Sequence, residues 1–285
     1  PLMINAITGG TQFSWEINRS LSKIAKSFNI PMAVGSQTIA LRDEESHESF
    51  KVVREIMGEN GVILSNLSAN ASVEDVKLAM EIIDADGIQL HLNPAQELAM
   101  KEGDRHFKGI LKNIENIVNK VHKPVIVKEV GFGMSRDVAK RLYDIGVRYI
   151  DISGKGGTNF IEIECRRNED MDFTDIYSWG IPTALSLMEC RKVSNDLNII
   201  ASGGIQNSLD VVKALVIGAD MVAIGGAILR ILLEDGYDKA YKYMEDLAYK
   251  LRMLMLLTGS KDVKQLKKVP YRIKGELKEL LQGLD

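Results

Sequence analysis

A (β/α)8 barrel, the TIM barrel of the α/β class, is the fold this sequence predicts, and three observations predict it. Eight short apolar strand-like runs alternate with segments of helical periodicity. Most of these runs stop at a Gly, Ser, Asn or His, and no Pro-rich or low-complexity linker divides the chain. An open doubly wound sheet also alternates strand and helix, but eight regular units in series favour a closed parallel barrel. The 285 residues, 45% of them apolar, suffice for one large core, so a single domain over 1–285 is expected.

From the front, 2-LMINAIT-8 reads as a buried strand ending at Gly9 and Gly10, and Ile17, Leu21, Ile24 and Phe28 follow at helical spacing. The second strand, 31-PMAVGS-36, precedes a helix near 44–57. The third, 61-GVILSNL-67, precedes a helix with Val73, Val76, Met80 and Ile83 on one face, opened by Ser72 and Asp75 as a capping box. The fourth is 87-GIQLHL-92, with a helix near 106–121. The fifth, 124-PVIVKEV-130, leads to a helix that opens near Ser135. Strands six to eight are 148-RYIDIS-153, 198-NIIASG-203 and 219-ADMVAIG-225. The insertion 154–180 breaks the spacing. Its charged, poorly periodic middle, 164-ECRRNEDMDFTD-175, reads as a mobile surface loop or lid. After strand eight comes a long helix with Ala240, Met244, Leu247, Leu251 and Leu254 on one face, then a Lys-rich extension over 259–285.

A net charge of -3 and a pI near 5.9 argue against nucleic acid or an anionic membrane as partner. Cys165 and Cys190 are too few for a disulfide framework and lack metal-ligand spacing, which suits a reducing cytoplasm. No run reaches the roughly 20 apolar residues of a membrane span. Strand-like residues begin at Pro1, so a leading segment is expected to precede it.

Barrel active sites lie at the C-terminal ends of the strands. In 87-GIQLHLN-93, Ile88, Leu90 and Leu92 alternate with Gln89, His91 and Asn93, so the polar set points to the axis and His91 lies near the mouth, followed by Gln96 and Glu97. Lys128 interrupts an apolar strand, where a lysine is costly unless it meets an anion or a polar cavity. Glu129 is a poor partner because adjacent strand residues point to opposite faces. Ser36 and Asn66 end their strands in the same way, and together these residues describe a polar ring. The glycine pairs in 202-SGGIQNSLD-210 and 224-IGGAIL-229 open onto helix starts, the usual phosphate site of this fold.

Taken together, 4-INAITGGT-11, 35-GSQ-37, 65-SNL-67, 91-HLNPAQE-97, 128-KEVGFGMS-135, 151-DISGKGGTNF-160, 179-WGIPTALSL-187, 202-SGGI-205 and 225-GGA-227 resemble the type 2 isopentenyl diphosphate isomerases, over essentially the whole chain. The glycine pairs alone fit many FMN barrels; HLNPAQE combined with SGKGGTN is more specific. The resemblance implies that FMN lies across the barrel mouth, touched by Thr8, Ser36, Asn66, Lys128, Ser153 and Thr158, with its phosphate cradled by Gly203, Gly204, Gly225 and Ala227. It implies conversion of isopentenyl diphosphate to dimethylallyl diphosphate by FMN that NADPH or NADH has reduced. Gln96 and His91 are then its catalytic side chains, His91, Asn93, Gln96 and Ser135 its substrate contacts, and Glu97 its Mg2+ ligand. A homo-oligomer is implied as well. The family's leading segment carries basic residues that hold the diphosphate; Arg42 is a substitute phosphate contact or a surface residue.

Two alternatives stay open. An FMN oxidoreductase on the same barrel would want His and Arg after strand six, as in the α-hydroxyacid oxidases, or a nucleophilic Cys in a Gly-Ser setting, as in the relatives of IMP dehydrogenase. A non-catalytic flavin-binding subunit would bind FMN without isomerisation.

Overall fold

The computed structural model describes residues 1–167 and 171–282. The expected insertion 154–180 and extension 259–285 run through 168–170 and 283–285, which lie outside the described residues. Eight parallel strands close into one barrel in chain order. They are β1 (Leu2–Ile4), β2 (Met32–Ala33), β3 (Ile63–Ser68), β4 (Gly87–Leu92), β5 (Val125–Glu129), β6 (Tyr149–Asp151), β7 (Asn198–Ala201) and β8 (Met221–Ile224).

Helices ring this sheet because their apolar stripes need cover. The first three are α1 (Gln12–Phe28), α2 (Glu48–Met57) and α3 (Val73–Ile82), whose Ser72–Asp75 capping box is formed as the sequence predicts. They are followed by α4 (Pro94–Ala99), α5 (Ile110–Lys120), α6 (Arg136–Asp144), α7 (Phe160–Arg167) and α8 (Thr183–Arg191). Next come α9 (Ser208–Val216), α10 (Gly226–Asp235) and α11 (Tyr237–Leu257), with the short α12 (Val263–Leu266) and α13 (Glu276–Gln282) in the C-terminal extension. The main core lies between sheet and helices; Leu21, Ile24, Phe50, Ile88, Leu90 and Ile150 in it are fully buried.

Three elements differ from the sequence reading. Several strands stop one to four residues before the motif ends, because the polar residues that finish each motif leave the ladder to line the mouth. The fourth unit gains an element ahead of its expected helix near 106–121, which is α5: Pro94 opens the short α4 at a position where a missing N–H costs nothing. Part of the supposed loop 164–175 is the end of α7. Glu162 and Arg166 pair at 2.6 Å across one turn. Ile161 packs with Ala99 and Phe132 in a separate apolar cluster, which holds α7 against α4.

Candidate active site

Alternate strand residues point to the barrel axis. Met3, Ala33, Leu64, Ile126, Ile200 and Ala223 fill its lower interior. One step further along the strands the lining turns polar, with Asn5, Asn66, Gln89, Lys128, Asp151 and Ser202 all buried. Lys128 is paired in register with Asp151 of β6, and its Nζ lies 3.6 Å from Asp151 Oδ2. The same ammonium donates to the backbone carbonyl of Glu129 at 2.7 Å. Asp151 also accepts from Asn5 Nδ2 at 2.8 Å, Ser202 Oγ at 2.5 Å and the Ser153 N–H at 3.2 Å. The Glu129 side chain turns to the following loop, where Oε2 accepts from the N–H groups of Phe132 (2.6 Å) and Gly133 (3.0 Å). Burial pushes its carboxyl up to about 7, against the pull of these hydrogen bonds and of Lys128.

His91, the penultimate residue of β4, lies beside Lys128 in the ladder, and its Nδ1 meets Asn66 Oδ1 at 2.9 Å. Burial first, then the Lys128 charge, lowers its pKa to about 4, so the imidazole is neutral near pH 7. Beyond it, Asn93 Nδ2 donates to Glu97 Oε1 at 2.8 Å, and the Asp104 N–H donates to Glu97 Oε2 at 2.8 Å. The segment after α4 is shaped around Glu97. A Cβ on Gly103 would fall 2.0 Å from the Glu97 carbonyl oxygen. The Arg105 guanidinium donates to the carbonyls of Glu97, Met100 (2.6 Å) and Gly103 (2.9 Å), capping the helix end. Gln96 Nε2 donates to Glu164 Oε1 at 3.0 Å, and Arg167 Nη1 pairs with Glu164 Oε2 at 2.7 Å.

The opposite arc is glycine. Gly203 and Gly204 have φ of +99° and +76°, and a Cβ on either would strike the backbone of Gly154 or Gly156 at 2.0 or 2.3 Å. Gly225 caps α10 with no side-chain hydrogen bond, so the first N–H groups of that helix are open to an anion.

One cavity of about 2050 Å³ gathers these groups. Ser36, Asn66, Lys128, Ser153, Thr158, Gly203, Gly204, Gly225 and Ala227 line it together with His91, Asn93, Gln96, Glu97 and Ser135. Thr8 is not among the lining residues; its hydroxyl lies 2.8 Å from Ser14 Oγ, behind the strand end. Arg42 lines the cavity and is exposed. A phosphate fits the glycine arc, since these glycines line the cavity and the start of α10 has no side-chain cap, and the cavity has room for a flavin. Among the described residues no group of three or more His, Cys, Asp or Glu could hold a metal. A single carboxylate at Glu97 suits a Mg2+ that takes its other oxygens from phosphates and water.

The FMN-dependent dehydrogenase family matches residues 22–272. Isopentenyl-diphosphate delta-isomerase of Geobacillus sp. (strain WCH70) is 46% identical over 277 residues, 97% of this chain and 79% of the relative. The enzyme of that name from Bacillus pumilus (strain SAFR-032) is 43% identical over 289 residues, covering 100% and 81%. The chain belongs to the type 2 isopentenyl-diphosphate delta-isomerases. FMN is the cofactor of this isomerase family's barrel. Among solved structures, a mandelate oxidase variant with a monooxide FMN adduct superposes with a TM-score of 0.68 at 17% identity, covering 96% of this chain and 80% of the oxidase, a likeness of fold.

Within this isomerase fold, sequence reasoning overlooked Asn5, Asp151, Glu164, Gly103 and Arg105. Asp151 had a signal: Asp and Ser at alternate positions of a buried strand next to one that carries Lys128. Glu164 had none, because only the packing of α7 on α4 leaves it 3% exposed.

Proposed function

We propose that this chain converts isopentenyl diphosphate into dimethylallyl diphosphate as an FMN- and Mg2+-dependent isomerase of isoprenoid biosynthesis, with NADPH as the reductant of the flavin. The observation that carries the reading is one cavity of about 2050 Å³ lined by both the glycine N–H arc and the Asn93, Gln96 and Glu97 set. That volume accommodates a flavin mononucleotide and a small diphosphate together. Relatives that carry the isomerase name over nearly the whole chain support it.

The reaction moves one double bond. The terminal methylene carbon gains a proton and a carbon across the branch point loses one, with no net redox change. Reduced FMN, when bound, supplies the acid and base for this exchange. The chain's residues bind, orient and neutralise. The open N–H groups of Gly203, Gly204, Gly225 and Ala227 take the cofactor phosphate. Lys128, fixed by Asp151, keeps a positive charge at the cavity floor and favours an anionic ligand edge there. Neutral His91 orients by hydrogen bonding and does not act as an acid near pH 7. Gln96, braced by Glu164, positions the alkene end, and Glu97 offers its carboxylate to a Mg2+ shared with the diphosphate. Ser135, at the start of α6, offers a helix N-terminus to a phosphate oxygen.

In this reading Ser36, Asn66, Ser153 and Thr158 contact the flavin. The chain is one FMN-binding domain acting in the cytoplasm as a homo-oligomer; a net charge of -3 supports small-molecule over nucleic-acid partners. No described helix is long and apolar enough to cross a membrane.

An anaerobic assay with FMN, NADPH, Mg2+ and isopentenyl diphosphate tests the proposal. Dimethylallyl diphosphate should accumulate; none, with reduced flavin bound, would sink it. Gln96→Ala should abolish turnover and retain FMN.

A further inference from the structure

The polar groups across the barrel floor form a hydrogen-bond chain with a single direction. Its anchor is Asp151, whose carboxylate accepts from every neighbour it has, Lys128 included. Asn5 must therefore present its amide NH2 to Asp151, at 2.8 Å. An independent contact fixes the same orientation: Asn5 Oδ1 accepts from the backbone N–H of Ala6 at 2.9 Å, and a backbone N–H can only donate. Asn5 Oδ1 then accepts from Gln89 Nε2 at 3.1 Å. Gln89 Oε1 is left to accept from Asn66 Nδ2, also at 3.1 Å. Asn66 Oδ1 is in turn left to accept, and the group it faces at 2.9 Å is His91 Nδ1.

We infer that this chain, running from His91 through Asn66, Gln89 and Asn5 to Asp151, fixes the His91 ring proton on Nδ1 and leaves Nε2 as a hydrogen-bond acceptor for whatever binds in the cavity. Gln89, which does not line the cavity, is thereby a positioning residue that acts through Asn66 on the ring, and Asn5, at the cavity edge, fixes its orientation. His91 lines the cavity, so its partner there is a donor, a water or an N–H or O–H of the cofactor. The substrate's phosphate oxygens, which accept, do not fit Nε2. That assignment of partner rests on the isomerase reading; the tautomer does not.

The test is solid-state 15N spectroscopy of the FMN-loaded protein labelled at its histidine ring nitrogens. His91→Asn identifies the signals of position 91 by difference. Wild type should hold the proton on Nδ1 by roughly tenfold or more, the effect of one buried hydrogen bond. Gln89→Glu keeps an acceptor for Asn66 and should keep that preference. Gln89→Leu frees the Asn66 amide to turn, and the preference should fall towards parity. A wild-type proton on Nε2, or a Gln89→Leu spectrum identical to wild type, would overturn the inference; the wild-type spectrum decides even if that variant does not fold. Inorganic pyrophosphate with Mg2+ should leave the ring singly protonated, and a doubly protonated ring would refute the donor-only partner. Turnover of isopentenyl diphosphate is read separately, so failure of the isomerase reading and failure of the tautomer are distinguishable.

Discussion

Asp151→Asn is the most demanding test of the barrel floor. Asp151 is fully buried, and Lys128, 7% exposed, has it as its anionic partner 3.6 Å away. Removing one member of a buried ion pair strands the other charge, which costs about 3–5 kcal/mol. The new amide also brings an NH2 group where Asp151 had only acceptors, so one of Asn5 Nδ2, Ser202 Oγ or the Ser153 N–H loses its bond. For a chain of this length that loss corresponds to a fall in Tm of roughly 5–8 °C. Urea unfolding of the flavin-free protein measures it without the stabilisation that ligand binding adds. Lys128→Met combined with Asp151→Asn removes both charges and should recover most of the loss. If the single substitution changes stability by less than about 1 kcal/mol, or the double variant is worse than the sum of the singles, the pair does not hold the floor and the reasoning fails.

Two titrating groups should give opposite slopes. His91, depressed from 6.5 to about 4, contributes stability that is present above pH 6.5 and lost as pH falls through 4, on the order of 3 kcal/mol in all. His91→Gln should flatten that slope in urea titrations. Glu129, raised from 4.5 to about 7, contributes stability present below pH 4.5 and lost as pH rises through 7; Glu129→Gln should retain it at high pH. Gly103→Ala would drive a Cβ to 2.0 Å from the Glu97 carbonyl oxygen, so the Mg2+ concentration for half-maximal turnover should rise about tenfold with flavin content unchanged. Gly204→Ala combines φ of +76° with a Cβ 2.3 Å from Gly156 O, and the purified protein should lose most of its FMN, read from its visible absorbance.

The architecture and the strand-end chemistry were legible because each rests on local pattern. Period-two apolar runs followed by period-3.6 helices imply βα units whatever the neighbours, and the capping box at Ser72 and Asp75 is complete within four residues. Gly203, Gly204 and Gly225 were legible as places where the backbone runs close to its surroundings at the barrel mouth, because backbone freedom belongs to the residue itself. Lys128 announced a buried partner by residue type alone, but not which carboxylate answers it. The register of β5 against β6 settled that, by bringing Asp151 beside it while Glu129 turned away.

By itself, then, the sequence determined the barrel, its polar mouth and its glycine arc, since hydrophobic period and backbone permissiveness are written residue by residue. Tertiary structure alone decided which polar groups meet. Closure brings Asn5, Gln89 and Asp151, up to 146 positions apart, into one hydrogen-bond chain, and packing of α7 on α4 buries Glu164 against Gln96. Such contacts depend on strand register and helix docking, which sum over the whole core, so no short stretch of sequence carries them.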